Sequence, residues 1–117
     1  MSPLVVIAVG LLGGLGATAR FLLDGAVSGR VGRSFPWGTL AVNLTGAFAL
    51  GVLAGATLSE DAYRIAGVGL LGAYTTFSTW MLETHRLAED GRWRPAILNV
   101  VGSLAVGLAA AWLGRQL

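Results

Sequence analysis

Residues 65–82, Ile-Ala-Gly-Val-Gly-Leu-Leu-Gly-Ala-Tyr-Thr-Thr-Phe-Ser-Thr-Trp-Met-Leu, form a charge-free run that carries the signs of its own interruption. Its 18 residues approach the roughly 20 needed to cross about 30 Å of hydrocarbon as a helix. Yet Thr75, Thr76, Ser78 and Thr79 place four hydroxyls within five residues. Short hydroxyl side chains bond to nearby backbone and compete with helical bonding. Gly67, Gly69 and Gly72 precede them and weaken the helix further. The run therefore predicts a membrane helix broken near its middle, with carbonyls released at membrane depth. Such backbone is tolerated only when buried in protein or lining a watery cavity, and freed carbonyls suit a hard cation. A continuous helix with back-bonded hydroxyls is the alternative that composition allows.

Three more charge-free runs lie outward of this one, at 1–19, 34–59 and 95–114. The first continues through Arg20 to about Leu23. The predicted spans are 3–23, 36–58, 64–83 and 95–114, in a single membrane domain, 1–117. Pro36 and Pro95 fit the first turn of a helix, where a missing N–H costs little. Trp37, Trp93 and Trp112 lie near span ends, as interfacial anchors do. Of 117 residues, 55% are hydrophobic and 12% charged, and the mean hydropathy is +0.72. A soluble domain this small needs far more charge to stay dissolved. Ala17-Thr18-Ala19 looks like a signal cleavage site, but no positive region precedes it and the run is long, so it reads as an uncleaved span. The expectation is an all-α membrane protein of four transmembrane helices.

Charge and cysteine usage exclude several functions. The net charge is +2, but every basic residue is an Arg, and all except Arg20 lie outside the apolar runs or at their ends. That is a membrane-flank distribution, not a nucleic-acid groove. With no Cys, disulfides and thiolate metal sites are excluded. No nucleophile–base pair, metal cluster or phosphate loop appears, so the chain does not read as an enzyme. His85 falls in a charged connection and reads as solvated. No acidic residue sits deep in a span, Glu83 lying at the end of the third. Proton-coupled transporters commonly carry an intramembrane carboxylate.

Polar groups inside the spans need partners, because burial in lipid is costly without them. Asn43 follows Thr39 by one turn, and Asn99 precedes Ser103 by one turn. Each Asn either bonds across helices or offers its NH2 to an anion pathway. Arg20 either snorkels to the interface, bonds a neighbouring helix end, or draws anions into a vestibule. Rows of small residues (Gly10/Gly14, Gly51/Gly55, Ser103/Gly107/Ala111) allow close helix approach in a bundle or dimer. Four short helices leave little internal room, so a pathway belongs more naturally between subunits.

Together these residues resemble the Fluc fluoride channels, or CrcB proteins. The resemblance rests on Gly13-Gly14-Leu15-Gly16-Ala17-Thr18-Ala19-Arg20, on Pro36-Trp37-Gly38-Thr39-Leu40-Ala41-Val42-Asn43-Leu44-Thr45-Gly46, and on Gly69-Leu70-Leu71-Gly72-Ala73-Tyr74-Thr75-Thr76-Phe77-Ser78-Thr79-Trp80. Asn99, Ser103 and Gly107 extend it into the fourth span. It implies an antiparallel, dual-topology dimer with two fluoride pores in the cytoplasmic membrane. It further implies a structural Na+ at the dimer centre, held by the backbone carbonyls of Gly72 and Thr75. Asn43 and Phe77 correspond to pore residues, Ser78 and Thr79 to hydroxyls beside the pore, and Arg20 to a vestibule arginine. Trp80 departs from the family pattern, which has a second Phe there. Trp offers a ring edge and an indole N–H, yet it is bulkier, so it either binds the ion or narrows the pore. Fluoride is small and strongly hydrated, and selection calls for close donors such as amides, hydroxyls and ring edges.

Two rivals remain on the residues: a dual-topology small-cation or multidrug transporter, which calls for a carboxylate within a span, and a structural subunit without transport. Topology adds a tension. Arg30, Arg33, Arg86, Arg92 and Arg94 share one side, against Arg64 and Arg115 on the other. Basic residues prefer the cytoplasm, so this bias favours both termini outside. The dimer is then either a homodimer, the bias being softened by Asp24, Glu89 and Asp90, or a heterodimer with a homologous subunit of opposite bias.

Overall fold

The computed structural model describes residues 1–117, all helix and connection with no strand. Four helical stretches are long and apolar enough to cross a membrane.

Helix α1, Pro3–Val31, opens on Ser2, whose Oγ accepts the Val5 N–H at 3.2 Å. It stops at Gly32, where φ is +82°, a conformation few other residues adopt. Its 29 residues extend about 43 Å, past the predicted end at Leu23. Asp24 and Arg30, expected in a connection, ride on this overhang. Charges do not end a helix that has already left the hydrocarbon, and the Ser28 hydroxyl donates to Asp24 Oδ1 one turn back, at 3.2 Å. Helix α2, Trp37–Gly55, follows Pro36.

The third span begins at Ser59, whose Oγ accepts the Ala62 N–H at 3.1 Å. Its first limb, α3, covers 60–74: α-helical at Glu60–Tyr63, widened to a π-helix over Arg64–Leu71, and α-helical again at Gly72–Tyr74. Nothing in the pattern of 65–82 announces the widening. Thr75 then turns extended, with φ −81° and ψ 159°, and the helix is broken. It resumes as α4, Ser78–Glu89. Gly91, at φ +74°, turns the chain into α5, Trp93–Arg115.

Packing is inverted relative to a soluble domain. Leu4, Leu11, Phe21 and Leu108 are all at least 70% exposed, as side chains facing lipid are. Gly makes up seven of the 15 buried residues, at 16, 38, 46, 51, 67, 69 and 114. A Cβ on Gly51 would strike the Ala111 backbone, and one on Gly114 the Phe48 backbone, so α2 and α5 touch main chain to main chain. A Cβ on Gly16 would strike the Leu70 carbonyl, which sets α1 against α3 in the same way. The small-residue rows divide accordingly. Gly51, Gly55 and Ala111 pack inside the subunit, whereas Gly10, Gly14 and Gly107 have no such neighbour within 4 Å.

Candidate functional site: the break in the third span

Local chemistry explains where the helix breaks. The Thr75 hydroxyl bonds back to the Leu71 carbonyl at 3.0 Å, and Thr76 Oγ1 accepts the Thr79 N–H at 3.2 Å. Thr76 is thus the cap of α4, its side chain replacing the carbonyl that a continuous helix would offer. The main chain of Thr76 is taken by α2. Asn43 Oδ1 accepts the Thr76 N–H at 2.9 Å, while Asn43 Nδ2 donates to the Thr76 carbonyl at 2.8 Å. This reciprocal pair satisfies polar backbone that lipid cannot serve. It uses one of the two amide hydrogens and leaves the other uncommitted.

The two carbonyls singled out in the sequence lose their helical partners for this reason. Gly72 would normally receive the Thr76 N–H, which goes to Asn43 instead. Thr75 would normally receive the Thr79 N–H, which goes to Thr76 Oγ1.

A cleft of about 350 Å³ runs along the break, lined by Asn43, Gly46, Ala47, Leu50, Gly67, Leu71, Gly72, Thr75, Thr76, Phe77 and Trp80. Five of the predicted site residues therefore share one surface: Asn43, Gly72, Thr75, Phe77 and Trp80. Phe77 is 70% exposed and stands edge-to-face with Trp80, ring centroids 5.7 Å apart and planes at 83°. Ser78 and Thr79 begin α4 and do not line the cleft. Neither does Arg20, whose Nε is buried on α1 without a hydrogen-bond partner.

Sequence reasoning missed four partners here. Thr76 holds the break on both its main chain and its side chain, and its spacing of three before Thr79 was the available signal. The Thr45 and Tyr74 hydroxyls lie 2.8 Å apart on an exposed face. The Thr39 hydroxyl donates to Glu83 at 2.5 Å, so the carboxylate nearest a span has a partner on α2. The Trp80 indole N–H donates to the Asn99 carbonyl at 2.9 Å and is not free for an ion. Contacts between distant segments carry no local signature.

A family model described as "CrcB-like protein, Camphor Resistance (CrcB)" matches residues 7–115. The chain belongs to this family. Among curated CrcB-family relatives, it is 57% identical over 109 residues to "Fluoride-specific ion channel FluC 2" of Mycobacterium tuberculosis, spanning 93% of this chain and 86% of that one. It is 48% identical to "Fluoride-specific ion channel FluC 1" of Leifsonia xyli subsp. xyli, over 100% and 88% of the two chains. It is 45% identical to "Fluoride-specific ion channel FluC" of Geobacter sulfurreducens, over 93% and 92%. With four membrane-crossing helices, this CrcB-family chain is a multi-pass membrane protein.

Proposed function

We propose that this chain is a fluoride-selective channel, and not an enzyme, that lets fluoride leave the cell passively across the cytoplasmic membrane and so limits its toxicity. The observation that carries the reading is the cleft at the break. There an amide and an aromatic ring line a largely apolar slot whose lining holds no carboxylate. Asn43 supplies its second amide hydrogen, and Phe77 the positive edge of its ring. Neither is a full charge, so the ion is attracted without being trapped. Ser78 and Thr79 belong to the pathway only if a second subunit carries it past the start of α4, and Arg20 then draws anions toward its mouth.

The reading includes an antiparallel dimer embedded in membrane lipid, a homodimer or a heterodimer with a homologous subunit. The family implies Na+ at its centre. Gly72 and Thr75 carbonyls without helical partners are the donor type a hard monovalent cation takes, and no cluster of carboxylates or imidazoles competes for that role. When bound, the cation would supply fixed positive charge and join the two breaks. The chain's own contribution is to hold those carbonyls open, through Asn43 and the Thr76 cap.

Fluoride efflux from proteoliposomes, read with an electrode, tests the function. Efflux down its gradient with chloride excluded is the expected outcome. Efflux that demands a proton gradient sinks the channel reading. For assembly, the absence of Cys makes a single cysteine placed between Asp90 and Arg92 unique. Labelling from both sides of intact cells marks dual topology, and labelling only after permeabilisation marks a fixed orientation.

A further inference from the structure

Trp80 is held at both ends by one residue. Its indole Nε1–H donates to the Asn99 carbonyl at 2.9 Å, and its own carbonyl receives the Asn99 amide at 3.5 Å. Thr84 closes the ring: its hydroxyl donates to the Trp80 carbonyl at 2.9 Å and accepts from Asn99 Nδ2 at 2.8 Å. Asn99 is 1% exposed, among the most completely buried side chains in the chain. A backbone carbonyl has two lone pairs, so Asn99 can serve the α5 helix and the indole together. In hydrocarbon an indole N–H needs such a partner.

The direction of that N–H matters. Trp80 lines the cleft, but Asn99 does not. The donor is therefore aimed into the seam between α4 and α5, away from the open slot. Toward the slot Trp80 presents only ring, and that ring meets Phe77 in the edge-to-face geometry aromatic pairs prefer. Phe77, at 70% exposure, makes no hydrogen bond through its side chain. The aromatic ring beside it is the stapled indole.

We propose that Trp80 is a positioning residue, fixed to α5 through Asn99 and setting the ring of Phe77, and that its indole N–H never serves the ion. The inference rests on the reading of Phe77 as a pore residue. A Phe at this position has no N–H to give the Asn99 carbonyl, so only the Trp can be anchored in this way.

Indole NMR of the 15N-labelled dimer tests this directly. Trp37, Trp93 and Trp112 are 47%, 63% and 65% exposed and serve as internal references. The Trp80 Nε1–H should exchange with D2O at least ~10-fold more slowly than those three, as a bonded, buried donor does. Its resonance should stay fixed when fluoride is added. A Trp80 proton that shifts with fluoride but not chloride, or that exchanges as fast as Trp93, overturns the proposal. Flux provides the second readout. Trp80→Phe keeps a ring edge and loses one hydrogen bond, so efflux should fall by no more than ~10-fold. Trp80→Leu loses the support for Phe77 and should approach background. Wild-type flux in Trp80→Leu would show that Phe77 needs no ring at position 80 and overturns the strut. Failure of the pore reading looks different: wild-type flux in Phe77→Ile removes Phe77 from the pathway and leaves the indole exchange result standing.

Discussion

The α2–α5 seam and the break after Tyr74 are held by opposite means. In the seam, Gly51 meets the Ala111 backbone and Gly114 meets the Phe48 backbone, main chain on main chain at those points. At the break, Asn43 and the Thr76 side chain take over polar groups that the helix has abandoned. Lipid tails are as apolar as Leu, so helices gain nothing by hiding Leu from them, and close van der Waals contact does the work instead. Unpaired backbone is a different matter and has to be served by specific donors and acceptors. The seam thus depends on what is missing, a Cβ, and the break on what is present. The seam should fail all at once when filled. The break should lose function before it loses the fold.

Filling the seam carries the largest expected effect. Gly51→Leu drives a side chain into main chain that cannot yield, which exceeds ordinary overpacking costs of about 1–3 kcal/mol. No folded protein should survive detergent extraction and size-exclusion chromatography. A folded Gly51→Leu dimer would mean the seam is looser than its glycines indicate. Asn43→Asp comes next. It puts a carboxylate in the cleft and removes the donor to the Thr76 carbonyl, so efflux should fall by about 100-fold or more, about 2.7 kcal/mol by the usual conversion, with the oligomer intact by chromatography. Phe77→Ile removes the ring edge and should resemble it in flux, with normal folding because the side chain is exposed. Wild-type flux in both variants would detach the cleft from transport.

Smaller effects sharpen the comparison at the cation site. If carbonyls at 72 and 75 hold Na+, backbone geometry outranks side-chain identity. Gly72→Val should abolish the gain in thermal stability that Na+ gives over a large organic cation, while Thr75→Ser, which keeps the hydroxyl bond to Leu71, should leave it nearly whole. Equal stability in both salts for the unaltered protein would remove the cation from the account. The smallest change is Thr76→Ala, which removes the cap of α4. Caps contribute about 0.5–2 kcal/mol, so a drop of a few degrees in melting temperature is expected, measured beside the flux assay.

Legibility of the fold and site followed the range of the interactions. The spans could be read because hydrocarbon thickness imposes a length and forbids charge, and the break because four hydroxyls crowd into five residues. Two helix ends could not: α1 runs on to Gly32, well past the charge-free run, and the third span already opens at Ser59, ahead of Arg64. The π-helical turn over Arg64–Leu71 left no trace in the pattern. Asn43 was legible as a polar residue needing a partner, but not its partner, Thr76, which lies 33 positions away. Trp80 was read through its donor, and that donor turned out to be engaged by a carbonyl on another helix. Ser78 and Thr79, named from the motif, flank the cleft instead of lining it. Composition can report that a group requires a partner; only the arrangement of helices selects one.

The overhang of α1 gives the molecule a lopsided profile. A helix of about 43 Å in about 30 Å of hydrocarbon projects on the side carrying the 32–36 and 90–92 connections. There Arg92 donates to the Ser34 carbonyl and ties the two connections together. One face of a subunit is therefore a raised, braced rim, and the other lacks this overhang of α1. In an antiparallel pair each leaflet would carry one rim. A binder raised against the rim would then decorate the membrane from both sides, whereas a parallel pair would leave one side bare.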